Sequence, residues 1–249
     1  GARHEIDVMR ELGVEIVELS SGELQAAEPT LNGVTGGFRL VKDGRLDPEL
    51  LVEALKGEAI AHGAQWITGF VREIRPTHQG VNVVTTAGTK SAANVIVAAG
   101  VWTPELVASL GVSLPVIPAK GYSVTLPEVE AQPSLPLLLL DQRLAVTSMS
   151  RGLRITGRYE LTTPSDRSSP PARIQGLIDL ARPVLGLPAF VRPENPWTGL
   201  RPASPDGLPL IGRLSTDERV LVCVGHGMLG TASGPGTGEI GRASCRERV

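Results

Sequence analysis

The feature that most restricts the fold of this chain is a short apolar run that ends in a glycine-rich turn. Residues 221–224 read LVCV, as expected of a buried strand, and residues 225–230 read GHGMLG. A strand, a glycine-rich turn and the start of a helix form an anion-binding site, because unpaired backbone N–H groups and the helix dipole concentrate partial positive charge there. Upstream, Arg201 lies between a Trp-containing segment and a proline-rich turn and adds a fixed cation near that site.

A second apolar run has a similar form. Residues 94–100 read NVIVAAG, which predicts a strand buried on both faces. The helix that follows is predicted over 103–110, with Thr103 as its N-cap and Pro104 at its first position. A small-residue turn at the carboxyl end of a buried strand is where α/β folds bind nucleotides, although tight packing alone also selects such a turn.

The rest of the chain contains signals for both helices and strands. Helices are predicted over 5–12, from Ser20 or Ser21 to Pro29, over 48–62 and over 174–185, the last interrupted by Pro183. Strands are predicted over 14–19, 66–74 and 81–86, followed by a turn at 87–90, and as four antiparallel-type segments between 116 and 161. Residues 162–173 have the composition of a loop.

Composition excludes several classes of function. The chain has 249 residues, which suits one or two domains, and a formal net charge of −2. That charge, together with an aromatic content of 3%, argues against a nucleic-acid partner. No apolar run approaches the roughly 20 residues of a membrane-spanning helix, so no transmembrane segment is predicted.

Conventional catalytic and metal-binding motifs are absent from the sequence. There is no CxxC, HExxH, GxSxG or P-loop, and the histidines are scattered, so no metal site is predicted. The two cysteines exclude a disulfide scaffold, and Cys223, inside the apolar run, is predicted to be a core residue. Taken singly, His226 favours a structural role, Arg201 a surface ion pair and Tyr122 packing.

Four ordered motifs give the chain a wider resemblance. They are AANVIVAAGVWTPEL, LPVIPAKGYSVTL, WTGLRPASPDGLPLIG and VGHGMLG, within a match that runs from about residue 5 to residue 239. In order and spacing they resemble the FAD-dependent D-amino-acid oxidase and dehydrogenase family (the DAO family). The resemblance is strongest to its D-amino-acid dehydrogenase branch (small subunit), and glycine oxidase and sarcosine oxidase are relatives.

The resemblance implies a mixed α/β fold, with an incomplete Rossmann-like FAD-binding domain and a substrate domain built on an antiparallel sheet. The implied boundaries are 34–112 and 198–239 for parts of the FAD-binding domain, 113–197 for the substrate domain, and 1–33 for a substrate-domain or linker segment. Residues 240–249 match a translated sequencing adapter, so they are expected to be non-native, and Cys245 with them.

The resemblance also implies a set of site residues. The backbone of Val71 is expected to contact the adenine of FAD, Ala99, Gly100 and Trp102 to lie beside its pyrophosphate and ribose, and Gly225, His226, Gly227, Met228, Leu229 and Gly230 to form the turn that faces the flavin. Arg201 is expected to hold the substrate carboxylate, the Met228 carbonyl to accept the substrate amine, and Tyr122 to lie near the substrate.

The implied reaction is the oxidative deamination of a D-amino acid. A hydride passes from Cα to flavin N5, and the imino acid hydrolyses to a 2-oxo acid and ammonia, so the protein supplies alignment and electrostatics and needs no catalytic triad. A glycine- or sarcosine-type amine oxidase and a 2-hydroxyacid dehydrogenase of the same superfamily are the alternatives. The electron acceptor is expected to be a quinone or oxygen, and the location cytoplasmic or peripheral at the inner membrane.

One departure from the family pattern concerns the cofactor. The family begins with a βαβ unit whose GxGxxG turn and acidic residue hold the FAD pyrophosphate and ribose. This sequence has no match to that N-terminal unit. We therefore expect the chain by itself to bind FAD weakly or not at all and to have low stability, and an inactive truncated fragment is the last alternative.

Overall fold

The computed structural model describes residues 2–130 and 132–246, which divide into two units. Unit 1 contains the described residues of 1–47, 121–159 and 168–199, and unit 2 contains those of 48–120, 160–167 and 200–249. The boundary falls within three long strands, so each of these strands begins in one unit and ends in the other.

Helices and strands are numbered in chain order. The helices are α1 (Ala2–Glu11), α2 (Ser21–Ala27), α3 (Pro48–Ala61), α4 (Thr103–Ala108), α5 (Pro171–Leu185) and α6 (Gly230–Arg246), and a 3₁₀ turn at Gly100–Trp102 precedes α4. The strands are β1 (Ile16–Ser20), β2 (Gly36–Leu40), β3 (Val71–Thr77), β4 (Gly80–Thr85), β5 (Gly88–Ala92), β6 (Val95–Val97), β7 (Ile117–Leu126), β8 (Leu137–Leu139), β9 (Leu144–Met149), β10 (Gly152–Leu161), β11 (Glu194–Ala203), β12 (Leu210–Arg213) and β13 (Val220–Val224).

These strands form four sheets, with the orders β1-β2, β11-β7-β10-β9-β8, β12-β13-β6 and β3-β4-β5. Strands β13 and β6 pair in parallel. The pairs β1–β2, β3–β4, β4–β5, β8–β9, β9–β10 and β12–β13 are antiparallel. The mixed α/β architecture with antiparallel sheets that was predicted from the sequence is therefore confirmed.

The core of unit 1 lies between one face of the five-stranded sheet and α5. Alternate residues of the central strands point into it, as the two-residue period of a strand requires. The fully buried members are Tyr122, Val124 and Leu126 of β7, Leu144 and Val146 of β9, Leu153 and Ile155 of β10, and Leu177, Ile178 and Ala181 of α5. Burial of each large apolar side chain contributes about 1.5–3 kcal/mol, so this face stabilises unit 1.

A buried carboxylate joins α2 to the loop before β8. Ser20 caps α2 and forms a capping box with Glu23, and these hydrogen bonds lower the pKa of the Glu23 carboxyl. At the other end of the helix, Glu28 is 2% exposed. Its carboxylate accepts hydrogen bonds from the Ser134 backbone N–H and hydroxyl at 2.9 and 2.6 Å and from the Leu135 N–H at 2.6 Å. A buried charge is thereby fully hydrogen-bonded.

The core of unit 2 joins two small sheets through α4. Its buried members are Ile74 of β3, Val81 of β4, Val97 of β6, Val107 of α4, Leu214, and Val220 and Val222 of β13. Residues of both β13 and β6 thus belong to one apolar cluster. The two strands are fixed relative to each other by packing as well as by backbone hydrogen bonds.

Two expectations about the β3–β5 region were wrong. The first strand is not 66–74 but 71–77, because its ladder runs from Thr77 opposite Gly80 to Val71 opposite Thr85, where β4 ends. Residues 87–90 are not a turn, because the chain turns at 86–87 and the next five residues pair with β4 as β5.

Two expectations about the second apolar run were also wrong. Ile96 is 47% exposed, so β6 is not buried on both faces, and β6 pairs with β13 alone among the described strands. Thr103 is the first residue of α4 and not its N-cap, because the 3₁₀ turn continues directly into the helix and puts Trp102 at the cap. The Thr103 hydroxyl is buried without a hydrogen-bond partner among the described residues.

Helix α5 begins at Pro171, three residues earlier than predicted, since a proline is compatible with the first turn of a helix. Pro183 lies within this helix and does not interrupt it. Strand β11 was not predicted, because Pro196 and Pro202 obscure its pattern. Helix α6 continues through residues 240–246 of the adapter-like segment, and residues 247–249 and the side chain of Cys245 lie outside the described residues.

In the part of the chain that the structure describes, no helix has the length and apolar character needed to cross a membrane.

Replacement of Glu28 by Gln is expected to lower the free energy of unfolding by about 3 kcal/mol, because an amide cannot satisfy three converging donors and hydrogen bonds to a charged group are worth about 1.5–3 kcal/mol each. Urea denaturation followed by circular dichroism measures the change. Glu128→Gln is the matched control, since that side chain is exposed. Equal stability of the two variants would contradict the assignment.

Candidate functional site

The candidate site is built on the parallel pairing of β13 with β6. Val220, Leu221 and Val222 lie opposite Val95, Ile96 and Val97, so the carboxyl ends of both strands reach the same edge of the sheet. Each strand is followed at that edge by a small-residue turn and then by a helical segment. The structure therefore brings together the two turns that the sequence singled out, at residues 98–102 and 225–230.

The turn after β13 needs glycine at two positions. Gly225 and Gly227 have φ angles of 91° and 54°, in the left-handed region that other residues rarely adopt. With Gly230 they also have the G-x-G-x-x-G spacing of dinucleotide-binding turns, directly after a strand and before a helix. The shape of this turn is thus determined by its own sequence.

Strand β11 is attached to this turn by backbone hydrogen bonds. Gly227 N–H donates to the Pro202 carbonyl at 2.9 Å, and Ala203 and His226 form an antiparallel bridge. The Ser204 hydroxyl donates to the Gly225 carbonyl at 3.3 Å. Arg201 is the residue before Pro202 and is half-buried, so its backbone position is fixed relative to the turn.

His226 has a structural role in the described residues. Its ring Nε2 lies 2.8 Å from the Thr237 hydroxyl, two helical turns into α6. Leu229 N–H donates to the His226 carbonyl at 2.9 Å and closes the turn. These bonds fix the angle at which α6 leaves the sheet.

Both turns border open space. At Gly100 and Gly227, whose φ angles are 56° and 54°, no described heavy atom outside the glycine and its two chain neighbours lies within 4 Å of the position that a Cβ would occupy. Met228 and Leu229 are 70% and 65% exposed. A backbone that is accessible in this way can be approached closely by a ligand.

Helix α6 adds positive potential at this edge. It begins at Gly230, and the first N–H groups of any helix have no partner within the helix. Its first turn contains no acidic residue that would neutralise the helix dipole. The edge is therefore suited to a ligand with negative charge or hydrogen-bond acceptors.

Trp102 contacts an arginine that the sequence gave no reason to place there. The guanidinium carbon of Arg167 lies 4.9 Å from the ring centre of Trp102, within the range of a cation–π interaction. The loop that carries Arg167 is held by Asp166, which accepts hydrogen bonds from Lys120 Nζ at 2.6 Å and from the Thr162 hydroxyl at 2.9 Å. Lys120 belongs to the KGYS motif that was singled out from the sequence, but no local pattern connects it to Asp166, 46 residues away.

Other predicted site residues lie elsewhere in the fold. Val71 begins β3, in a different sheet, beside a bulge between Val71 and Glu73. Tyr122 is 1% exposed and belongs to the unit 1 core. Cys223, predicted to be a core residue, is half-buried in β13. Among the described residues, no three His, Cys, Asp or Glu side chains cluster closely enough to bind a metal ion.

Comparison with known proteins places these features in context. The family model described as FAD dependent oxidoreductase, DAO, matches residues 1–242. The D-amino acid dehydrogenase of Cereibacter sphaeroides is 34% identical over 247 residues, and that of Bradyrhizobium diazoefficiens is 32% identical over 248. Each match covers 96% of this chain, which spans 56% and 58% of the length of those relatives.

Solved structures are similar over most of the chain. Glycine oxidase from Geobacillus kaustophilus superposes with a TM-score of 0.85 at 26% identity, over 96% of this chain and 65% of that one. L-proline dehydrogenase from P. horikoshii superposes with a TM-score of 0.88 at 19% identity, over 98% of this chain and 68% of that one, which is evidence for the fold alone.

The left-handed backbone at Gly227 leads to a paired prediction. Gly227→Ala is expected to lower the free energy of unfolding by about 1–2 kcal/mol, because a Cβ is strained at positive φ even where space is open. Gly238→Ala, in exposed helical backbone of α6, is expected to raise it by roughly 0.5–1 kcal/mol. Urea denaturation of both variants measures the difference, and the same sign for both would contradict the assigned conformations.

Proposed function

The chain belongs to the family of FAD-dependent oxidoreductases, and we propose that it forms part of a D-amino acid dehydrogenase. Two relatives with that name, at 34% and 32% identity, support the choice of substrate class. The observation that carries the proposal is structural: two open small-residue turns meet at one edge of a parallel strand pair, and Arg201 is attached to one of them.

The residues present fit FAD. Gly100 and Gly227 leave open space beside the backbone, and the start of α6 supplies N–H donors and positive potential. We assign the 225–230 turn to the flavin ring, Ala99, Gly100 and Trp102 to the pyrophosphate and ribose, and the backbone of Val71 to the adenine. When bound, FAD supplies the acceptor for the hydride, and the turn supplies electrostatic stabilisation of negative charge on the ring.

Substrate orientation is the proposed role of Arg201 and Met228. The planar guanidinium of Arg201 suits bidentate capture of the amino-acid carboxylate, and the exposed Met228 offers its backbone carbonyl to the amine. Two contacts of this kind fix the direction of the Cα–H bond, which is how alignment lowers the barrier. Tyr122 is not assigned a substrate contact, because its burial favours packing.

A glycine-type amine oxidase is the second candidate. It is favoured by the similarity to glycine oxidase, at 26% identity and a TM-score of 0.85. Both candidate functions use the same proposed role for Arg201, and they differ in the group at Cα that the site accepts. In either case the electron acceptor is a quinone or oxygen, and a quinone acceptor corresponds to a location at the inner membrane surface.

Anaerobic reduction of the flavin separates the candidates. In the full-length enzyme that contains this chain, reconstituted with FAD, D-alanine is expected to bleach the flavin absorbance faster than L-alanine, glycine, sarcosine or D-lactate. Faster reduction by glycine or sarcosine supports the amine oxidase, and faster reduction by D-lactate supports a 2-hydroxyacid dehydrogenase. No reduction by any of the five compounds refutes the proposed function.

Arg201→Leu tests the carboxylate contact. In the full-length enzyme that contains this chain, reconstituted with FAD, we expect kcat/KM for D-alanine to fall by an amount that corresponds to about 2–3 kcal/mol, the scale of a charged hydrogen bond, with a rise in KM. Arg151→Leu is the control, because Arg151 is exposed in the turn before β10. Wild-type kinetics in Arg201→Leu would remove this residue from the site.

A further inference from the structure

The face of the five-stranded sheet opposite the unit 1 core carries an arginine that two neighbouring strands hold in place. Arg154 of β10 donates from Nε to Ser123 Oγ of β7 at 3.0 Å. Its guanidinium carbon lies 5.3 Å from the ring centre of Trp197 on β11. Because β7 lies between β10 and β11, the side chain extends across a whole strand. All three residues belong to unit 1.

The hydrogen bond from Arg154 satisfies a buried hydroxyl group, that of Ser123. Ser123 is 1% exposed, although its neighbours Tyr122 and Val124 point to the apolar core on the other face. A buried hydroxyl requires partners, and here they are Arg154 Nε and the Thr156 hydroxyl, 3.2 Å away. Bonding at Nε orients the guanidinium plane and leaves its two terminal nitrogens directed away from Ser123.

The position of Trp197 depends on Gly199. Residues two apart on a strand share a face, and a Cβ at Gly199 would lie 2.6 Å from the Cζ3 atom of Trp197, well inside contact distance. The indole can therefore lie along β11, beneath the guanidinium, because Gly199 has no side chain. Any larger residue at that position would displace the ring.

The terminal nitrogens of Arg154 have no protein partner in the described part of the chain. Beyond Ser123 and Trp197, neither a hydrogen bond nor an ion pair joins Arg154 to the described residues. The arginine is half-buried and Trp197 is 46% exposed, so the group is accessible to a ligand. The Arg154 guanidinium is oriented by Ser123 and Trp197 and has no acidic partner among the described residues, so it can bind an anionic ligand.

We propose that Arg154 is a carboxylate-binding site within unit 1, which binds a small carboxylate ligand through its terminal nitrogens. A carboxylate matches the two parallel N–H groups of a guanidinium, whereas a spherical anion does not. Ser123 and Trp197 are positioning residues, and Gly199 acts through Trp197. The binding of a carboxylate by Arg154 involves residues of unit 1 alone and is independent of the proposed function and of turnover.

The test is a ligand-observed NMR titration with propionate at constant ionic strength, on the 249-residue chain with Arg201→Leu in the background. Removing Arg201 makes the result independent of the proposed catalytic site. We expect saturable binding whose Kd rises by at least about tenfold in Arg154→Gln, the scale of a lost charged hydrogen bond. Arg154→Lys is expected to be intermediate, since it keeps the charge but not the bidentate geometry.

Three controls make the test specific. Arg151→Gln, three residues away and exposed, is expected to leave the Kd within about twofold, well below the effect of a charged hydrogen bond. Propionamide, which has the same shape without the charge, is expected not to bind. Gly199→Ala is expected to weaken propionate binding although it removes no contact atom, and it decides the matter if Arg154→Gln does not fold.

Several results would overturn the proposal. These are an unchanged Kd in Arg154→Gln, equal binding of propionamide, displacement of propionate by an equal concentration of chloride, or wild-type affinity in a folded Gly199→Ala variant. Failure of the proposed function is a different result, namely absence of flavin reduction in a protein whose Arg154 still binds propionate.

Discussion

The parallel pairing of β13 with β6 is the interaction on which the candidate site depends. Two turns 125 residues apart in sequence reach the same edge only because both strands run in the same direction, with Val222 opposite Val97. An antiparallel arrangement would place the turns at opposite edges. The shared apolar cluster of Val97, Val107 and Val222 protects this pairing from water, so the packing of unit 2 and the geometry of the site have one cause.

Attachment of β11 to the glycine-rich turn extends that constraint to Arg201. The Gly227 N–H donates to the Pro202 carbonyl from a turn whose backbone is left-handed at Gly227. The same turn is joined to α6 through His226 and Thr237. A proline at position 202 has no N–H but keeps its carbonyl, so it can lie near the end of the strand and still accept this bond.

Local sequence patterns were sufficient to predict those parts of the site whose residues are contiguous in the chain. The buried strand at 221–224, the glycine-rich turn at 225–230 and the start of the helix after it were readable from apolar residues and glycine, whereas the G-x-G-x-x-G spacing of the turn and the length of the helix were missed. Exposure of Ile96 was not readable, because burial of a strand face depends on what packs against it. The contact of Arg167 with Trp102 joins residues 65 positions apart, and no local signal encodes such a distance.

The five-stranded sheet shows why the polar residues of unit 1 were the hardest to interpret from sequence. Alternation along β7 and β10 identifies which residues leave the core, but not what they meet on the other face. Ser123 and Arg154 meet only because β7 and β10 are neighbours, and Trp197 joins them only because β11 follows on the far side. Ser123, Arg154, Trp197 and Gly199 each have a local environment that can be explained separately. They lie on one face of the sheet because of the strand order, and this arrangement makes Arg154 a candidate binding group.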